Sequence, residues 1–249
     1  MASHLSDIGF QVETEKELQQ LAARAYEEGE VFETSTVSYI KWAPGEGVEL
    51  WLQLDRANDV IGINPHFSGS SVMRVGLTQR LVRSEARPLD GALHAWADPE
   101  GEDPETGAYP FVFDVPDYYL IDVAELPAIA KIQLAAFAHE LQSYDNDEAY
   151  AESQSDEIKF ASESFIPAGL FSPGGEATGP PEAHAIFTGH VLEASIITNP
   201  VTGVEFCWAK TKTIGGEIDV VADPALLNGL LIKGGVLSGY FWLSGRLST

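Results

Sequence analysis

Residues 233–247 read KGGVLSGYFWLSGRL, and this stretch decides the fold class. Apolar and aromatic residues fill it, while Gly234, Gly235, Gly239 and Gly245 stand where a strand can bend sharply or let another backbone approach. The pattern predicts two strands or one strongly bent strand. Immediately upstream, Asp223–Pro224 opens a short helix through Leu227. Before it, Val204 to Ile214 and Glu217 to Ala222 read as strands on either side of Gly215–Gly216. TNPVTG at 198–203 reads as a turn, and Ala183 to Ile197 as a strand with Gly189 inside it.

Over about 183–247 the order is strand, strand, strand, short helix, strand, strand. In that order and in its glycine placement the segment resembles the OB fold, a small five-stranded barrel. No specific OB motif is matched, so the resemblance implies an architecture and carries no activity with it. It also implies where a ligand would lie: on the face of the second and third strands and at the neighbouring loops. On the second strand Phe206, Trp208, Lys210 and Lys212 share one parity, an aromatic pair followed by two cations, which suits stacking on a planar ligand. The competing role for the two rings is barrel core, with the lysines marking where the strand leaves it. Glu217 and Asp219 on the third strand argue against a polyanion. Cys207, between the rings, reads as a small buried thiol, and nothing local couples it to His184 or His190.

The chain before this segment reads as α+β, mainly antiparallel β with one N-terminal helix. Ile8, Phe10 and Val12 alternate with polar neighbours and predict a short opening strand. Thr14 and Glu17 have the spacing of a capping box, Leu18, Leu21, Ala22 and Ala25 recur at helical spacing, and Gly29 suits a left-handed cap. A helix is therefore expected over 15–28. Val37, Tyr39, Ile40 and Trp42 then lead through Pro44–Gly45–Glu46–Gly47 into Val48, Leu50, Leu52 and Leu54, a hairpin whose other face carries Glu49, Trp51 and Gln53. Met73, Val75, Leu77 and Leu81 predict a strand over 72–83, with Arg74, Thr78 and Arg80 on its polar face. The pair Arg74 and Arg80 is expected to face an anion or to pair with acids. Strand fragments at Leu93 to Trp96 and Phe111 to Val115 flank the turn-rich DPEGEDPETG at 98–107.

The stretch AIAKIQLAAFAHELQSY, residues 128–144, has the composition of a helix and the apolar run of a buried strand. Strand is the reading taken, followed by a short helix from Asn146 or Asp147. Gly and Pro crowd 168–181, which reads as a linker or surface loop. The organisation expected is an α+β region over 1–125, a connecting segment over 126–180 and an OB-like barrel over 181–249.

Composition narrows the function. The 249 residues include 38 acidic and 14 basic side chains, a net charge of −24 that repels phosphate backbones and attracts cations. Duplex nucleic acid is not an expected partner. A single cysteine excludes a disulfide framework and a multi-thiolate metal site. No leader or membrane-length apolar run is evident, so the chain reads as a soluble cytoplasmic protein of bacterial type, with no membrane partner.

The best metal-ligand pattern is Asp90, His94 and Asp98 at intervals of four, joined by His66 and Asp55, although Asp98 before Pro99 also suits a turn and His94 a hydrogen-bonded core histidine. The phosphate-loop, dinucleotide, nucleophile-elbow and HExxH motifs are missing. The expectation is a non-catalytic binding or interaction protein without a cofactor, its partner a protein or small molecule. The alternative is a metal-assisted hydrolase using His66, Asp90, His94 and Asp98.

Overall fold

The computed structural model describes residues 4–34, 36–82, 89–121, 125–155, 159–170 and 181–248. Residues Ser6–Ile8 form a single tight turn closed by Gly9 at φ 80°, where a strand was expected. Ile8 and Phe10 are buried all the same, because the turn tucks both into the core. Helix α1 spans Glu15–Glu28 and carries the full capping box: Glu17 N–H donates to Thr14 Oγ1 at 3.3 Å, and Thr14 N–H to Glu17 Oε2 at 2.9 Å. Gly29 is extended (φ −83°, ψ 162°) instead of left-handed, since the chain runs directly into β1 (Glu30–Glu33). Glycine is needed there for closeness: a Cβ would sit 2.3 Å from Ile40 Cγ2.

The expected hairpin forms as β2 (Ser38–Gly45) and β3 (Val48–Leu54), and a further strand, β4 (Val60–Phe67), pairs with β3. The sequence reading missed β4 because Gly62 and Pro65 punctuate it; proline in a strand belongs at a sheet edge. With β1 these strands make a sheet in the order β1-β2-β3-β4. Strand β3 is buried along its whole length. Val48, Leu50, Leu52 and Leu54 join the core between the sheets with α1 residue Ala25, while Trp51 joins Tyr39 and Leu89 on the opposite face.

Among the described residues the second sheet has nine strands: β5 (Met73–Leu81), β6 (Ala92–Ala97), β7 (Tyr109–Asp114), β8 (Ala128–Tyr144), β9 (Ser164–Ile166), β10 (His184–Thr198), β11 (Glu205–Thr213), β12 (Gly216–Ala222) and β13 (Val236–Leu247). Helix α2 (Asp147–Ser153) follows β8, capped by Asn146. Residues 128–144 are therefore one long strand with a bulge at His139, and 236–247 one continuous strand.

Strands β8 and β13 form an antiparallel ribbon from Tyr144↔Val236 to Ile132↔Leu247, and two circuits of pairing close through it. One runs β8, β12, β11, β10, β13; the other runs β8, β5, β6, β7, β13. The β12–β8 and β13–β7 pairings are parallel, so the sheet is mixed. A five-stranded barrel confined to 181–249 is not what is seen: that stretch supplies four strands, and the fifth member of its circuit is β8. The linker expected over 168–181 lies mostly outside the described residues. Among the described residues, no helix is long and apolar enough to cross a membrane.

Candidate functional site

The four-stranded sheet lies over the outer face of β8, β11 and β12. Phe206, Val221, Ala135 and Phe137 of the large sheet share a core with Leu50, Leu52 and Phe67 of the small one, and Phe67 meets the rings of Phe206 and Trp208. This is the face on which the OB resemblance placed a ligand. The chain itself fills it: Phe206 is fully buried, and Trp208 donates its indole N–H to Asp219 at 2.9 Å. Lys210 pairs with Glu217 at 3.1 Å and Lys212 with Glu163 at 3.9 Å. The four residues do share one strand face, but the two rings act as core. Cys207 points into the opposite core, where burial pushes its thiol up to about 11.

The proposed metal ligands do not converge. His66 on β4 is buried, with Nδ1 2.9 Å from Ser244 Oγ and Nε2 2.9 Å from Gln133 Oε1. His94 on β6 is held by Thr78 at 2.6 Å, and Asp90 Oδ1 accepts from Gln53 at 2.8 Å and Asn64 at 3.2 Å. Asp98 has φ 48° and turns the chain, while Asp55 caps the next turn through the amides of Ala57 and Asp59. Among the described residues, no group of three or more His, Cys, Asp or Glu is arranged to hold a metal ion. Intervals of four align ligands on a helix, but here the residues are spread over two sheets and a turn.

Arg74 and Arg80 are held by protein oxygens. Arg74 donates to the carbonyl of Pro99 at 2.7 Å and to that of Gly101, with Glu102 at 3.6 Å, so it pins the acidic turn 98–107. Arg80 donates to the carbonyl of Ile121 at 3.0 Å and lies over the Tyr118 ring. A bulge between Leu77 and Gln79 separates the two, and each serves a different loop.

What the fold does build is a groove of about 850 Å³ between α1 and β4. Leu18, Ala22 and Tyr26 of the helix form one wall, and Val60, Ile61, Gly62, Ile63 and Pro65 the other. Leu18, Tyr26 and Val60 are each more than a third exposed there (36%, 42% and 37%). The helical signal was available: Leu18, Ala22 and Tyr26 recur at intervals of four beside the Leu21–Ala25 stripe that packs on the sheet.

At one end the groove adjoins a polar cavity of about 230 Å³, with which it shares His4, Ile63 and Pro65. Asp90, Asp114, Asn64 and Ser244 line that cavity. His4 divides the two spaces. Its ring stacks on Trp242 (centroids 4.2 Å, planes 5° apart), and its Nε2 lies 3.2 Å from Nε2 of His139, the residue left unpaired by the bulge in β8. Burial, with His139 and His184 adding repulsion, pushes the His4 imidazole down to about 3, so the partition is uncharged at neutral pH. Beside a separate cavity lined by His66, Ser70, Ser71 and Gln133, Asp219 accepts from Gln133 Nε2 (2.9 Å), Trp208 and the amides of Ser70 and Ser71.

Comparisons with protein-family models, with curated proteins and with solved structures return no match to this chain.

Proposed function

We propose that this is a non-catalytic binding protein whose ligand occupies the groove between α1 and β4. The observation that carries the reading is the groove itself: an open, mainly apolar space of about 850 Å³ walled by one helix and one strand. Its size falls in the range of ligand sites, and apolar side chains left uncovered in one place cost solvation unless something covers them. The face that an OB-like description would have used is filled by the protein's own sheet, which leaves the open space beside α1 at the β4 margin of that sheet.

We read the circuit β10, β11, β12, short helix, β13, closed by β8, as an OB-like arrangement whose last strand has moved to the front of the chain. This reading is supported by the three-strand meander and by the short helical turn Pro224–Leu226 between β12 and β13.

Nile red, a neutral apolar dye, tests the site. The wild-type protein should take it up saturably at one site with a blue-shifted emission, and Ala22→Trp, which fills the groove, should abolish the uptake without lowering the melting temperature. No uptake, or uptake indifferent to Ala22→Trp, contradicts the reading.

A further inference from the structure

We propose that the occupant of this groove is an extended, basic segment of another polypeptide, added to the four-stranded sheet as a strand beside β4; this rests on the groove being the binding site. Among the described residues β4 pairs with β3 alone, which leaves one backbone edge without a ladder. Val60, Ile61, Gly62 and Ile63 line the groove consecutively. Successive side chains of a strand point to opposite faces, so a cavity on one face would touch every second residue. The register slips at Ile61, between Leu54↔Val60 and Gln53↔Gly62, and this bulge near the start of β4 lets the groove meet Val60 to Ile63 in succession beside the strand's unladdered edge.

Pro65 indicates which groups point there. It lies opposite Leu50 and has no N–H to give β3, which suits an outward-facing position. Ile63, two residues earlier in unbroken register opposite Leu52, turns its N–H and C=O the same way, towards the groove. An added strand would pair there and pack alternate side chains on Leu18, Ala22 and Tyr26, the arrangement of strand-addition recognition.

Charge selects the partner. Glu27 and Asp59 line the groove and, among the described residues, no Lys or Arg does, in a chain of net charge −24. A second copy would bring the same charge and be repelled, whereas a Lys- or Arg-bearing segment is attracted.

A library of displayed random peptides selected on the whole chain, followed by anisotropy titration of the selected peptides, tests the proposal. Selected peptides should alternate β-branched or aromatic residues with Lys and Arg and lack central proline. Exchanging their Lys and Arg for Glu should weaken binding by at least about tenfold. Ile63→Pro, which removes the outward N–H, should do the same, whereas Ile63→Val, which keeps that N–H and most of the side chain packed on the core, should not. In the unaltered protein, the Ile63 amide should become slow to exchange when peptide binds. Enrichment of helical or acidic peptides, no enrichment, or an Ile63 amide indifferent to peptide overturns the proposal. So does concentration-dependent dimerisation abolished by Ile63→Pro, which assigns the edge to a second copy. If Nile red still enters the groove while the peptides fail, strand addition falls and the binding site stands; if both fail, both fall.

Discussion

Ser244 Oγ on β13 lies 2.9 Å from His66 Nδ1 on β4, and both residues are buried, so this hydrogen bond ties the small sheet to the large one. The chemistry of its neighbours sets the direction. Asp219 accepts from Gln133 Nε2, which leaves Gln133 Oε1 to accept from His66 Nε2–H, so His66 Nδ1 carries the lone pair and Ser244 donates to it. Ser244→Ala should therefore leave a buried acceptor unpaired and cost about 1–3 kcal/mol in urea unfolding.

The same histidine makes stability depend on acid. Burial pushes His66 down to about 4 from an ordinary 6.5, with Glu49 working the other way. Between those values the folded protein binds fewer protons than the unfolded chain. The stability is thus present above pH 6.5 and lost as the pH falls towards 4, by on the order of 3 kcal/mol. Urea midpoints measured at neutral pH and at about 4.5 should show this fall, and His66→Gln should flatten it.

Asp7 acts in the opposite sense. Its Oδ1 accepts the Asp223 N–H at 3.0 Å, its Oδ2 has no partner, and burial pushes the carboxyl up to about 8. The folded form keeps a proton that the unfolded chain has lost. Its contribution is full below pH 3.8 and disappears as the pH rises through about 8. Asp7→Asn should therefore stabilise the protein relative to wild type by much more at about pH 9 than at about pH 5, read from melting temperatures in matched buffers.

Phe206 distinguishes core from ligand platform. It is fully buried against Phe67, so Phe206→Ala should cost about 3–5 kcal/mol, whereas a ring reserved for stacking on a ligand would be replaced at little cost. Equilibrium unfolding of the variant measures it.

Duplex DNA should not bind at physiological salt, because a net charge of −24 repels the phosphate backbone and 14 basic side chains against 38 acidic ones give little counterion release. Anisotropy with a labelled duplex should stay flat across a salt series.

The elements legible in the sequence were those with strong local signals. The capping box at Thr14–Glu17, the period-two runs of β2 and β3, and the glycine-marked strands of the C-terminal segment all form where the pattern puts them. Non-local information was not legible. Nothing in 128–144 says that it completes a circuit with the strands from His184 onward, and nothing in Phe206 or Trp208 says which sheet will cover them. Asp90, His94 and Asp98 have helical spacing but fall on a turn, a strand and another turn, which disperses them. The groove was half legible: the α1 stripe was visible, while β4 was hidden by Gly62 and Pro65, the residues that suit it to an edge.

The most direct measurement of the central claim is an amide chemical-shift titration of the labelled protein with 2-naphthol, a soluble neutral aromatic. Saturable shifts are expected at the amides of Leu18 to Glu27 and Asp59 to Asn64, with the β11 residues Phe206 to Lys212 unmoved. Shifts centred on β11 and β12, or none that saturate, would contradict the claim.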